Sequence, residues 1–157
     1  MLNESELTIN LQKFNIKNLM NFCTCFFNTN YFLVLLFTLY ITNIIDNYDI
    51  YKIILVNIIG IILKLFFKRS RPYIAHKHIS NFTNSDYTSS VFSMYSLPSG
   101  HTIQATILAL ILLNKYNNDM FLFLPAIIGL SRVYLGVHYV SDVLLAIFVS
   151  IIVYYYF

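Results

Sequence analysis

Charge is what this chain has least of. Asp, Glu, Lys and Arg make up 11% of its 157 residues, where a water-soluble domain carries roughly a quarter. Too little polar surface exists to cover the protein in water, which excludes an ordinary soluble domain. Cysteine is also scarce. Cys23 and Cys25 are the only two; they stand too close together to staple distant segments, and no zinc spacing accompanies them. They read as buried or lipid-facing thiols. There is no internal repeat and no strand-like alternation of useful length, which leaves helices. A cleavable signal peptide is not expected either, because the first twenty residues carry Glu4, Glu6, Lys13 and Lys17 and lack an apolar core. The net charge is +3, yet several cations lie inside or beside apolar runs, where a solvated basic patch would not be placed. Nucleic-acid binding finds no support.

What the chain has is apolar length: 58% hydrophobic and 17% aromatic residues, with a mean hydropathy of +0.66. This predicts an integral, multi-pass, all-α membrane protein of one domain, a bundle of about five spans preceded by an amphipathic segment. Residues 1–25 form that segment, expected as a helix at the membrane surface with Leu7, Leu11, Phe14, Leu19, Met20 and Cys23 at helical spacings. Residues 26–157 form the membrane domain. Its spans are expected near Phe26–Ile45, Ile50–Phe67, Ser99–Leu113, Met120–Leu135 and His138–Phe157, with Gly136 breaking the last two apart. Several fall short of the ~20 residues of a full crossing. The closing Tyr154-Tyr155-Tyr156 fits an interfacial aromatic belt.

Five alternating crossings sort the polar residues onto one face. The end of span two, the start of span three, the end of span four and the start of span five all meet there. Those ends carry Lys64, Arg71, Ser99, His101, Arg132, His138 and Asp142; the opposite face receives Lys52, Lys115 and a few aspartates.

The residue types gathered on that face suit a phosphate. Pro98-Ser99-Gly100-His101 precedes an apolar helical run, so Ser99 is a natural N-cap and the free amides of the first turn form an anion site. Gly100 lets an oxygen approach the backbone. An ionised side chain near the bilayer needs a partner or a watery cavity, and Arg132 has no carboxylate nearby in sequence, so an anionic ligand would suit it. Lys68 and Arg69 read more simply as contacts to anionic lipid headgroups. His138 and Asp142 are four apart; on a helix they share a face, and a carboxylate holding one imidazole nitrogen leaves the other free to attack or to donate a proton. His76 and His78 lie in a polar stretch without acidic ligands and do not read as a metal site.

Taken in order, Lys64-x6-Arg71-Pro72, Pro98-Ser99-Gly100-His101 and Ser131-Arg132-x5-His138-x3-Asp142 resemble the three-part signature of the type 2 phosphatidic acid phosphatase superfamily, with every specified residue present. The resemblance covers residues 64–142. It implies a membrane phosphatase acting on lipid phosphates or isoprenyl diphosphates. It also implies that His138 is the nucleophile that becomes a phosphohistidine and that Asp142 orients it. By the same resemblance His101 protonates the leaving group, and Lys64, Arg71, Ser99, Gly100 and Arg132 bind the phosphoryl oxygens. No metal and no cofactor are implied. The expected partners are a membrane lipid phosphate and the bilayer itself. A phosphatidic acid-type substrate is slightly preferred. Polyprenyl diphosphatase, lipid phosphotransferase and an inactive lipid-binding protein are the alternatives. A vanadium haloperoxidase would share the pocket, but those enzymes are soluble. The polar stretch 73–97 is expected to act as a lid or lipid gate. Orientation is left open: Lys13, Lys17, Lys68, Arg69 and Lys77 put the site on the cytoplasmic side by the positive-inside tendency. Family pockets commonly open to the lumen, periplasm or exterior, and Asn81-Phe82-Thr83 is a glycosylation sequon in the same stretch.

Overall fold

The computed structural model of the protein describes residues 3–83 and 94–157; the middle of the expected lid, residues 84–93, lies outside them. Among the described residues the regular structure is helical. In chain order the helices are α1 (Glu4–Gln12), α2 (Lys17–Cys25), α3 (Thr29–Ile41), α4 (Asn47–Phe67), the single turn α5 (Pro72–Ala75), α6 (Gly100–Tyr116), α7 (Phe123–Tyr134) and α8 (Val140–Tyr156). A 3-10 turn, Asp119–Leu122, leads into α7.

Local chemistry sets the ends. Asp46 caps α4 by accepting the amides of Tyr48 at 2.8 Å and Asp49 at 2.9 Å, while the Asp49 carboxylate accepts the Asp46 amide at 3.2 Å. At the other end Lys68 takes a left-handed conformation (φ 47°) and returns its amide to the Lys64 carbonyl at 3.0 Å. The chain therefore turns sharply just where Arg69, Ser70 and Arg71 follow. Between α7 and α8 the turn rests on Gly136, whose φ is +76°. A Cβ there would collide with the Ser80 carbonyl oxygen, so the expected break at this glycine is steric as well as conformational.

The centre of the bundle is α6, packed against α4, α7 and α8. Its Ile103, Ala105, Ile107 and Leu108 are buried with Ile53 and Val56 of α4, Ile128 of α7 and Ala146 and Val153 of α8. α7 and α8 approach closely at Gly129, where a Cβ would stand 2.5 Å from Val143 Cγ1. Side chains are sorted inside out relative to a soluble protein. Val34 and Phe37 on α3, Ile54, Ile62 and Phe66 on α4, and Leu144 and Phe148 on α8 face outward, whereas Lys64, Arg71, Arg132, His138 and Asp142 are buried. An apolar exterior around a charged interior suits a lipid solvent.

α4 is the one helix among the described residues long and apolar enough to cross a membrane; α2 and α3, bent by 46° at a short break, pass the same test when taken together. The helices α6 and α8, at 17 residues each, reach about 25 Å at 1.5 Å per residue, somewhat less than a ~30 Å hydrocarbon core.

The N-terminal segment differs from the single surface helix expected. Its chain breaks after Gln12, and both pieces lie against α7. Gln12 Nε2 donates to the carbonyls of Ser80 at 2.7 Å and Tyr134 at 3.0 Å, and the Tyr134 hydroxyl donates to Phe14 O at 2.5 Å. Polar partners on α7 and the 76–83 segment hold α1, so it caps the bundle end. Of the apolar residues that the periodicity aligned, Leu11 packs against Tyr134, Leu135 and Val137, whereas Leu7 and Phe14 stay exposed.

Candidate active site

Two antiparallel contacts fix which ends of the helices meet. At one end Lys52, in the first turns of α4, donates to the Tyr154 carbonyl in the last turn of α8 at 2.9 Å, and Lys115 of α6 donates to the carbonyls of Asn43 and Ile44 at 2.5 and 2.6 Å. The end of α4, the start of α6, the end of α7 and the start of α8 are thereby gathered at the other end. The sequence-predicted residues occupy those four positions.

Lys64 lies in the last turn of α4, 9% exposed, and its Nζ donates to the Tyr95 carbonyl at 2.9 Å. Arg71 follows the left-handed turn and is the N-cap residue of α5, with Pro72 in the first turn, a position where the missing N–H costs nothing. Its Nη1 donates to the Val137 carbonyl at 3.0 Å and lies 3.4 Å from His138 Nε2. Ser99 is the N-cap residue of α6, as expected from sequence, but its side chain makes no capping bond. The hydroxyl instead accepts from Thr102 Oγ1 at 2.9 Å, and the Ser99 amide donates to the Asp142 carbonyl at 3.2 Å. A Cβ placed on Gly100 would meet no atom within 4 Å, so the first turn of α6 faces open space beside His101. Arg71, Lys64, Arg132 and His138 all lie near enough to act electrostatically on His101. Arg132, in the last turn of α7, is 2% exposed.

His138 and Asp142 meet, though not by the helical stacking that their spacing predicts. His138 precedes α8, which begins at Val140. The Asp142 carboxylate folds back onto the helix start, where its Oδ2 accepts the Tyr139 amide at 2.9 Å. This turn carries Oδ2 to 3.5 Å from His138 Nδ1. The contact is not a hydrogen bond, and Nδ1 has no hydrogen-bond partner among the described residues. An arginine can only donate, so the 3.4 Å approach of Arg71 favours a lone pair on Nε2 and the ring proton on Nδ1, the Asp142 side. His138 lies in the connection outside both apolar helices. Burial, reinforced by the positive charges of Arg71, Lys64 and Arg132, holds its imidazole well below the ordinary histidine range. This favours the neutral ring.

Three residues join the site that sequence reasoning left outside it. Arg69, expected among lipid headgroups, turns inward: its Nη1 donates to Asp142 Oδ1 at 2.8 Å and to Ser141 Oγ at 2.6 Å. A fully buried carboxylate within reach competes better for a guanidinium than exposed headgroups do. Glu4 bonds both Arg69 and Ser141. Ser96 donates its amide to the Arg69 carbonyl at 2.9 Å. A hint was available for Glu4, since the chain has only seven acidic residues and each is a candidate partner for a buried cation. Ser96 carried no signal.

Chemically, the arrangement gathers several cations, a helix start and a histidine–carboxylate pair at one end of the bundle. That constellation can hold a tetrahedral oxyanion and present it to a neutral imidazole nitrogen. The fold is similar to the crystal structure of the first transmembrane PAP2 type phosphatidylglycerolphosphate phosphatase from Bacillus subtilis, with a TM-score of 0.74 and 18% identity over 97% of this chain and 79% of that one. It is equally similar to the crystal structure of Aquifex aeolicus LpxE, with a TM-score of 0.74 and 22% identity over 94% of this chain and 90% of that one. At such identities the likeness speaks for the fold. Among curated proteins none matches. The sequence profile of the PAP2 superfamily matches residues 27–157, a stretch that holds all three motifs and the helices α3 to α8 that carry them, and the chain belongs to that superfamily.

Proposed function

We propose that the protein is a multi-pass membrane phosphohydrolase that removes phosphate from a lipid phosphate through a phosphohistidine intermediate. The observation that carries this reading is the line Arg71–His138–Asp142. Nε2 of a neutral, buried imidazole points at an arginine that would bind a phosphoryl oxygen, while Nδ1 faces a carboxylate. Membership of the PAP2 superfamily supports a phosphatase.

In the first step His138 Nε2 attacks phosphorus, the bond from phosphorus to the lipid oxygen breaks, and His101 gives that oxygen a proton. Asp142 stabilises the proton on Nδ1 as the ring becomes cationic. In the second step water attacks the phosphohistidine, the P–N bond breaks, and His101 takes the proton from water. Inorganic phosphate leaves and both histidines return to their starting states. Splitting one displacement into two lowers each barrier. Lys64, Arg71, Arg132, the Ser99 hydroxyl and the Gly100 amide stabilise the charge on the equatorial oxygens, the main requirement of phosphoryl transfer.

For substrate, the reading favours a glycerolipid phosphate monoester of the phosphatidic acid type. The Bacillus subtilis protein of similar fold is named for a glycerolipid phosphate. The outward apolar faces of α3, α4 and α8 fit a protein that meets its substrate in the bilayer. The test is phosphate release from phosphatidic acid, phosphatidylglycerolphosphate and a polyprenyl diphosphate by purified protein in detergent, with excess chelator and a His138→Ala control. Release from a glycerolipid monoester by wild type alone supports the reading. Equal release by the His138→Ala variant overturns it.

A further inference from the structure

Arg69 belongs to none of the three motifs, yet it touches the buried carboxylate at their centre. We infer that Arg69 is a positioning residue for Asp142 and that Glu4 of α1 holds it there, which makes the N-terminal helix a working part of the site. The inference rests on the phosphohydrolase reading above.

Asp142 is held from two sides. Oδ2 accepts the Tyr139 amide at 2.9 Å, and Oδ1 accepts Arg69 Nη1 at 2.8 Å. Remove the second contact and the carboxylate keeps the Tyr139 amide and the Ser96 side chain but loses its charged partner, and the approach of Oδ2 to His138 Nδ1, already 3.5 Å, is less well defined. Arg69 in turn is fixed from three directions. Its Cζ stands 3.8 Å from the centre of the Tyr139 ring, its Nη1 reaches Ser141 Oγ at 2.6 Å, and its Nη2 reaches Glu4 Oε2 at 3.0 Å. Glu4 is anchored by the start of α8: Oε1 accepts the Ser141 amide at 2.7 Å and Oε2 the Ser141 hydroxyl at 3.1 Å. A carboxylate belongs at that amide, because the free N–H groups and the helix dipole both favour negative charge.

The plain alternative is a surface ion pair of little consequence. Exposure decides against it for the inner contact. The side chains of Arg69 and Glu4 are 31% and 33% exposed, but that of Asp142 is 0% exposed. The outer pair is screened and worth little by itself; its use is geometric. The inner bond ends on a carboxylate that has to steady the imidazole as positive charge develops there. Its loss should slow the step at phosphorus while leaving phosphate capture by Lys64, Arg71 and Arg132 intact.

The experiment compares wild type with Arg69→Ala, Arg69→Lys, Glu4→Gln and His138→Ala, all full length in detergent, on the lipid panel above. Arg69→Ala is expected to lower kcat ~10- to 100-fold, the usual scale for a group that orients a catalytic ligand, with KM within about twofold by the same reasoning. Arg69→Lys, able to reach Oδ1 with a single point charge, should recover most of that loss. Glu4→Gln should lower kcat by a smaller factor, also at unchanged KM. Wild-type kcat in Arg69→Ala, or a loss confined to KM, overturns the inference while leaving the phosphohydrolase reading standing. If Arg69→Ala does not fold, Glu4→Gln and Arg69→Lys carry the test, and wild-type kcat in both overturns it. A wild type that releases phosphate from no lipid overturns the two readings together.

Discussion

Arg71 Nη1 lies 3.4 Å from His138 Nε2, and the same nitrogen holds the Val137 carbonyl at 3.0 Å, one residue before the histidine. One guanidinium therefore both steadies the backbone that carries the imidazole and stands where a phosphoryl oxygen would arrive. A lysine cannot do both, since it lacks the planar fork. Arg71→Lys is expected to lower kcat/KM by ~10- to 100-fold, measured as phosphate release over a range of lipid concentration. A change under threefold would detach Arg71 from the phosphate.

His138→Ala removes the nitrogen at the centre of the proposed chemistry. Phosphate release should fall by roughly three orders of magnitude or more. Rapid quenching of wild type with radiolabelled lipid phosphate should trap an acid-labile, base-stable label on the protein, and the variant should trap none.

The role assigned to His101 depends on the leaving group. A lipid alkoxide is a poor leaving group and needs a proton, whereas an activated phenolate does not. His101→Ala should therefore cost ~10²- to 10⁴-fold on phosphatidic acid, and at least tenfold less on an aryl phosphate with an acidic phenol. Equal losses on both would remove His101 from the acid role.

In the proposed reaction Lys64, Arg71 and Arg132, with the start of α6, supply the positive charge that a phosphoryl transfer needs. Activity should persist undiminished in excess chelator, as read by phosphate release after dialysis. Recovery of lost activity on adding back a divalent cation would contradict this.

Gly136 joins α7 to α8 with φ +76°, and a Cβ there would meet the Ser80 carbonyl and come within 2.9 Å of Ile79 Cγ2. Gly136→Ala combines backbone strain with a collision, so a loss of at least ~1–3 kcal/mol is expected. Thermal unfolding in detergent would register it as a lower midpoint. His138 lies two residues on, so activity should fall as well.

Much of the site was legible in sequence because phosphate chemistry asks for particular residue types at helix ends. Lys64, Arg71, Ser99, His101, Arg132, His138 and Asp142 could be assigned to one face from hydropathy alone, since each sits where an apolar run begins or ends. The means by which His138 and Asp142 meet was not legible. Spacing of four implied one helix face, whereas the Asp142 side chain folds back to cap the helix start and the histidine stays outside it. The two geometries have the same spacing, and only the turn at Gly136 separates them. Nor was Arg69 legible as a partner of Asp142. Its neighbour Lys68 looks alike, and nothing local tells which of the two turns inward. Glu4 was further out of reach, for its partner Ser141 lies 137 residues away. The span expected near Phe26–Ile45 is helical over Thr29–Ile41 and is followed by Asn43 in a left-handed conformation, and the one expected near Met120–Leu135 opens with the 3-10 turn at Asp119–Leu122.

The isolated pairing of Ser70 with Tyr95, reinforced where Ser96 holds the carbonyls of Arg69 and Ser70, knots together the two roots of the long excursion that separates the first and second motifs. Closing a loop at its base makes added length cheap, since each doubling costs only about 0.6 kcal/mol. The stretch between these roots can thus change in length at little cost to the helix ends fastened on either side of the pairing.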